Sequence, residues 1–409
     1  MAGQEPIVII GAGEAGATLA AELVRLGYRD PVHLVGDEDC APYERPPLSK
    51  AHLEPGAEPL PATVFPQGMV LDNVVHHRGL AAVSIDPKAK LVTLSNGGSL
   101  AYHRLVLATG AEPRTLGLAE GIGGVHYLRT LAQARDLRNA LDRRTPVAVL
   151  GAGFIGLEVA AAARRHGCKV TMVEPQPRIL GRGVSAFIAE RIRLLHEAEG
   201  VDFRLGASLS ALQTRGAELI LHLTEGAAVE ASALVIGIGA QPRIALARAA
   251  GLAIDNGIAV DAQFTTSDPA ILAMGDCCSF PLPVYGGRRV RLESWRNARD
   301  QAAMIAAILT KGDVASMPVP WFWSDQYDHG LQVAGLVDEG ETEIRRPVGD
   351  GADITFHLAD DGRLVAACGF GPGQAVAKDI RLAEMLIARG AMPDPGLLAD
   401  PAVKLKSLL

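Results

Sequence analysis

The sequence predicts an α/β protein of two strand–helix units with parallel sheets, followed by a smaller α+β domain. Three observations predict it. Two glycine fingerprints lie 140 residues apart, Gly11-Ala12-Gly13-Glu14-Ala15-Gly16 and Gly151-Ala152-Gly153-Phe154-Ile155-Gly156. Each follows a short apolar run, Ile7–Ile10 or Val147–Leu150, and strands and helices alternate after it. From Met317 the pattern changes to aromatic and alternating residues. Alternation of strand and helix indicates a parallel sheet with helices on its faces. A chain of 409 residues exceeds what one core organises, so two or three domains are expected.

Taken in order, the first unit reads strand Ile7–Ile10, helix 15 to about 26 and strand 32–35. A loop rich in proline follows over 41–66. Leu91, Thr93 and Leu94 before Asn96-Gly97-Gly98 predict a hairpin, and 105–107 a buried strand running into Ala108-Thr109-Gly110. The second unit repeats the grammar: strand Val147–Leu150, helix 154–166, strand 169–174, helix 186–199, and strand 233–238 ending at Gly239. Short strands return over 258–280, and a helix follows over 297–309. The tail holds Trp321, Phe322 and Trp323, strands 354–358 and 364–368, and a last helix over 375–389.

Composition narrows the class of protein. Hydrophobic residues at 48% and charged residues at 21% fit an ordinary globular chain. A net charge of −7 argues against a nucleic-acid binder. No apolar run reaches the ~18 residues of a membrane span, so no membrane partner is expected. The first residues show no basic stretch followed by an apolar core, which makes the cytoplasm the expected location. Cys40, Cys168, Cys277, Cys278 and Cys368 form no metal spacing and no CxxC pair, so reduced thiols and no metal site are expected.

In each fingerprint the first glycine makes the tight turn, the second admits a phosphate and the third lets helix pack on strand. The helix amino end then faces a pyrophosphate. One such match is weak, because a glycine-rich turn without a ligand has the same pattern. Two in one chain imply two dinucleotides and electrons passing between them. The acid ending the second strand says which dinucleotide is held. Glu174, eighteen residues after Gly156, accepts from both ribose hydroxyls and repels a 2′-phosphate, which favours NAD(H) over NADP(H). Arg178 and Arg182 stand nearby as residues able to meet a 2′-phosphate. In the first unit Gly36 occupies the expected position, and the acid arrives one residue later as Asp37, read as an adenosine-ribose contact. Asp276, after Gly275 at a strand end, is placed to bond a ribityl hydroxyl of FAD, although Gly-Asp alone is a common turn.

The chain resembles the NADH-dependent ferredoxin reductases of bacterial oxygenase systems, members of the FAD-dependent pyridine nucleotide-disulfide oxidoreductases. The resemblance rests on Tyr43-Glu44-Arg45-Pro46-Pro47-Leu48-Ser49-Lys50, Val106-Leu107-Ala108-Thr109-Gly110, Gly151 through Glu158 and Met274-Gly275-Asp276. Glu293-Ser294-Trp295-Arg296-Asn297-Ala298 and Trp321-Phe322-Trp323-Ser324-Asp325-Gln326 complete it. It implies a glutathione-reductase-like fold: an FAD domain over 1–114 and 241–318, an NAD domain over 115–240, and a carboxy-terminal α+β domain over 319–409. It assigns Gly11, Gly13, Ala15, Gly16, Asp37, Arg45, Lys50, Val83, Ala108, Thr109, Gly110, Arg129, Asp276, Trp295 and Trp323 to FAD. Gly151, Gly153, Phe154, Ile155, Gly156, Glu158, Glu174, Arg182 and Gly239 go to NAD.

By that resemblance Lys50 lies near the flavin's reactive edge and Glu158 near the nicotinamide, as the catalytic pair. A fixed ammonium stabilises the charge that hydride arrival brings. A surface salt bridge is the plain alternative for the two. Trp295 and Trp323 would flank or screen the flavin, or simply pack in a core.

The expected activity is NADH:ferredoxin reduction, with a [2Fe–2S] ferredoxin feeding a Rieske dioxygenase or a cytochrome P450. An alternative is a single-thiol NADH oxidase or peroxidase using Cys40, since no cysteine pair follows the first unit's second strand. A further alternative is an NADH-sensing flavoprotein like the apoptosis-inducing factors. Arg288, Arg289, Arg291, Arg296 and Arg299 form the densest cationic run, a docking face for an acidic ferredoxin or else an internally paired set. Monomer and homodimer both stay open.

Overall fold

The computed structural model describes residues 5–56, 62–69, 71–312 and 316–409. The expected loop 41–66 and the amino-terminal stretch therefore lie partly outside the described residues, at 57–61 and 1–4. The chain divides into two compact units, residues 1–44, 61–112 and 241–318 in one and 45–60, 113–240 and 319–409 in the other.

The first unit is built on a five-stranded parallel sheet in the order Ile271–Ala273, Arg104–Leu107, Ile7–Ile10, Val32–Gly36, Val74–Arg78. The central strand is buried at every residue, as a parallel strand covered on both faces must be. Helices Glu14–Arg25 and Trp295–Lys311 pack on each other in this unit. The second of these starts two residues before the expected 297, because Ser294 caps it by accepting from the Asn297 amide. A meander of Ala82–Asp86, Leu91–Leu94 and Ser99–Ala101 contains the predicted hairpin.

The second unit carries a matching parallel sheet in the order Val201–Leu205, Val170–Glu174, Val147–Leu150, Ala233–Ile236, Val125–His126. Strand order reverses beside each first strand, and such a switch point opens a crevice at the carboxyl ends. Helix Leu131–Leu141, absent from the sequence reading, is set by a capping box of Thr130 and Gln133. A meander of Leu209–Arg215, Glu218–Leu223 and Val229–Ala231 was also not anticipated. The tail folds into a five-stranded antiparallel sheet, Trp321–Gln326, His329–Gly335, Leu364–Pro372, Ala352–Leu358, Thr342–Gly349, with helix Ala377–Ala388 against it.

The compact units cut the chain differently from the three expected domains. Residues 45–60 belong with the second unit, where Leu53 is wholly buried in a core shared by Leu157, Val333 and Phe370. His166 Nε2 lies 2.6 Å from the Leu53 carbonyl and ties the same segment down.

Candidate active site

Each fingerprint is shaped by backbone crowding. Gly11 has φ +115°, and a Cβ there would stand 2.1 Å from the Ala108 carbonyl oxygen. Gly151 has φ +96°, and its Cβ would stand 2.4 Å from the Gly237 oxygen. At Gly16 and Gly156 a Cβ would fall 1.9 and 2.1 Å from the carbonyl of the fingerprint's own first glycine. Gly13 and Gly153 begin the helices with no side-chain cap, so the first amide groups of each helix are left for a ligand. The residues present therefore fit two pyrophosphates.

Around the first fingerprint the structure gathers several expected residues. A Cβ at Gly275 would lie 3.3 Å from that of Ala15, which sets the turn carrying Asp276 against the helix start. The Asp276 carbonyl accepts from Arg291. Thr109 Oγ1 donates to the Arg243 carbonyl at 2.6 Å, and the Arg243 amide donates to Gly110. Asp37 is engaged by the Arg243 guanidinium at 3.0 Å on an exposed rim. Beside it, His76 Nε2 is buried without a hydrogen-bond partner among the described residues, 3.6 Å from where a Gly36 Cβ would stand. Sequence reasoning missed His76 because the His76-His77 pair on an edge strand matches no ligand-binding motif. Val83, 54% exposed, follows the turn in which the Leu80 amide donates to the Gly36 carbonyl. Trp295 opens helix Trp295–Lys311 with the Arg299 guanidinium 4.7 Å from its ring centre.

The arginine run is largely an internally paired set. Arg289 faces Asp255 at 3.5 Å, Arg296 faces Asp300 at 3.5 Å, and Arg291 bonds Glu293. Arg299 reaches Glu14 at 3.2 Å. Burial pushes the Glu14 carboxyl up, and Arg299 opposes that shift. A run dense in one charge recruits acids wherever the fold leaves them near, and here four of its five members are so matched.

The second unit holds the catalytic candidates. Glu158 sits in the second turn of helix Phe154–Arg165 with its side chain 3% exposed. Lys50 Nζ donates to its Oε1 at 2.7 Å, Ser324 Oγ donates to the same oxygen at 2.5 Å, and Ser49 Oγ donates to Oε2. The pair is thus embedded in hydroxyls and is no surface salt bridge. Asp325 stands 3.7 Å from Lys50 Nζ, and the Trp323 ring centre 6.0 Å from it. Trp323 stacks on Trp321 with ring centres 5.5 Å apart, and Phe154 meets Phe322 edge-on. Trp295 and Trp323 belong to different compact units. Arg45 donates to the Arg129 carbonyl, while the Arg129 amide bonds Gln133.

Glu174 is bound to its own fingerprint. Its Oε2 accepts from the Ala152 amide at 2.8 Å and its Oε1 from the Gln176 amide at 2.9 Å. Arg178 is occupied by the carbonyls of Leu180, Gly181 and Val184, so it closes a loop and is not held out toward a phosphate. Arg182 is exposed in that loop, and Ile155 is 45% exposed on the helix start. Gly239, three residues past strand Ala233–Ile236, has the Arg114 side chain 3.8 Å from its Cβ position.

Two switch-point crevices, each with a bare helix start, and a part-buried lysine paired with a buried glutamate of the second fingerprint's helix define an oxidoreductase built around two dinucleotides. The chain belongs to the pyridine nucleotide-disulphide oxidoreductase family, whose model matches residues 5–302, and FAD and NAD(H) are its cofactors. A reductase C-terminal model matches residues 321–409. The chain is 43% identical, over 99% of both chains, to the ferredoxin–NAD(+) reductase component of the anthranilate 1,2-dioxygenase system of Burkholderia cepacia. It is 36% identical to putidaredoxin reductase of Pseudomonas putida, over 100% of this chain and 98% of that one. A solved structure of a covalent putidaredoxin reductase–putidaredoxin complex matches with TM-score 0.92 and 35% identity, over 99% of this chain and 98% of that one.

Proposed function

We propose that this chain is the NADH-dependent ferredoxin reductase of an oxygenase system, passing electrons from NADH to a [2Fe–2S] ferredoxin. The carrying observation is the part-buried Lys50 paired with the buried Glu158 of the second fingerprint's helix. Similarity to reductase components of such systems along the whole chain supports the same reading.

The first fingerprint, with Ala15, Thr109, Gly110, Asp276 and the Asp37 rim, is the FAD seat. The second, with Glu158 and Glu174, is the NADH seat. The chain then runs as FAD segments 1–114 and 241–318, NAD segment 115–240 and closing segment 319–409. FAD supplies the change from a two-electron hydride to single electrons. Lys50 contributes a positive charge whose position Glu158 fixes, and alignment is the protein's main task. Glu174, already anchored to the Ala152 amide, presents its remaining lone pairs to ribose hydroxyls and repels a 2′-phosphate.

The test is an absorption spectrum of the purified protein titrated with NADH, then NADPH, then mixed with ferredoxin. A yellow protein bleached by NADH at far lower concentration than by NADPH, and reoxidised by the ferredoxin, supports the reading. A colourless protein, or one whose flavin only oxygen reoxidises, overturns it.

A further inference from the structure

The hydroxyl of Ser324 that reaches Glu158 is the end of a longer buried chain. Gln326 Nε2 donates to Ser324 Oγ at 2.9 Å. Gln326 Oε1 lies 2.9 Å from His196 Nε2, and His196 Nδ1 lies 3.4 Å from the Tyr327 hydroxyl. Ser324, Gln326 and His196 have no exposed surface. A buried polar group left unpaired loses its hydration with nothing in return, so their pairing is strongly specified.

The donors all run one way. Ser324 must give its hydrogen to the Glu158 carboxylate, the strongest acceptor within reach. That leaves Ser324 Oγ to accept, which orients the Gln326 amide with its nitrogen toward serine and its oxygen toward histidine. Burial holds His196 down to about 4, so the ring is neutral, with its one proton on Nε2 and Nδ1 accepting from Tyr327. Every hydrogen in the chain therefore points toward Glu158.

The far end is clamped. Gln326 and His329 are paired across the hairpin, so Tyr327 and Asp328 form a two-residue turn, and Tyr327 sits at φ +57°. A bulky side chain at positive φ is strained and persists only where its surroundings hold it. Arg165 does so, donating to the Tyr327 carbonyl at 3.0 Å with its guanidinium 5.8 Å from the ring centre, and pairing with Glu54.

We infer that Gln326 and His196 are positioning residues that hold Ser324 and Glu158, and through them Lys50, in one arrangement. For its consequence in turnover this rests on the proposed function, but its test does not. Lys50 would be labelled with acetic anhydride in the purified full chain as isolated, and its rate read by peptide mass spectrometry. Gln326→Leu should raise that rate about fivefold in the parent chain and leave it unchanged when Glu158→Gln is already present. Tyr327→Phe, which keeps the ring under Arg165, should raise it about twofold with the same dependence on Glu158, and it stands in if Gln326→Leu does not fold. An equal rise in both backgrounds, or none in the parent, overturns the inference. A purified chain without flavin would sink the proposed function, while the labelling comparison would still decide this one.

Discussion

The two fingerprints share a backbone and differ in what their side chains do. Their first glycines crowd a neighbouring carbonyl at 2.1 and 2.4 Å, and both helices start without a side-chain cap. Three offsets then diverge. At the end of the second strand, one has Gly36 with His76 beside it and the other has Glu174 bonded to its own loop. At the first helical residue, Glu14 is buried against Arg299, whereas Phe154 packs on Phe322. Seven residues after the first glycine, Thr18 bonds within its own helix to Glu14, whereas Glu158 gathers Lys50, Ser49 and Ser324. The backbone is a common carrier, and the chemistry is written at those offsets.

The largest expected effect comes from breaking the carriers one at a time. Gly11→Ala forces a Cβ into the Ala108 carbonyl at positive φ, a strain of more than about 3 kcal/mol. It should yield protein that loses flavin on gel filtration. Gly151→Ala meets a similar clash, yet should keep its flavin and lose NADH-driven bleaching. Loss of flavin in both, or in neither, would break the division of labour between the two seats.

Proton linkage separates the regions next. His196 belongs to the second unit, and burial lowers it from 6.5 to about 4. Between those values the unfolded chain binds a proton that the folded one refuses, so this stability is complete above about 6.5 and is lost as pH falls toward 4. The full effect is on the order of 3 kcal/mol. Glu14, in the first unit, is raised by burial, so the sign reverses: its cost is present at neutral pH and is relieved as pH falls through the folded value. Denaturant midpoints between pH 7 and 4 should therefore fall less steeply for His196→Gln than for the parent, and more steeply for Glu14→Gln. Parallel curves for all three would remove the contrast.

What the sequence made legible follows the same divide. Both parallel sheets and both fingerprints were readable because strand–turn–helix grammar is local, and the Lys50–Glu158 pairing, 108 residues apart, was readable only through the family resemblance. Ser49, Ser324, Gln326 and His196 around Glu158 were not, since their partners stand 109, 166 and 130 residues away across the pairs. Helix Leu131–Leu141 escaped because its capping box precedes only a weak apolar stripe. The pairing within the arginine run was not legible because sequence shows cations in a row and hides acids such as Asp255 and Glu14.

A smaller effect tests the strand-end acids. Glu174→Ala removes the carboxylate that accepts from two backbone amides and repels a 2′-phosphate, about 1.5–3 kcal/mol for bonds to a charged group. KM for NADH should rise about tenfold or more, with that for NADPH unchanged or lower. Asp37→Ala removes an exposed pairing with Arg243 worth about 1 kcal/mol at most. Flavin retention should weaken less than tenfold. Equal sensitivity at the two positions would mean that the fingerprints read their dinucleotides alike.

The smallest expected effect is at Cys40, a half-buried thiol four residues past the end of the first unit's second strand. A redox-active thiol needs its thiolate stabilised by a helix amino end or a fixed cation. The next helical turn starts only at Pro46, and it belongs with Lys50 and Glu158 in the second unit. Cys168, Cys277, Cys278 and Cys368 are buried, and burial raises each of their thiols, so none of the four offers a resolving partner. On the proposed function, electrons leaving a flavin at the first fingerprint then have no sulfur to stop on. Cys40→Ser should leave NADH-driven reduction of ferredoxin and of ferricyanide within about 0.5 kcal/mol of the parent rate, the usual range for a surface change. A fall of tenfold or more in either assay would return the first region to thiol chemistry.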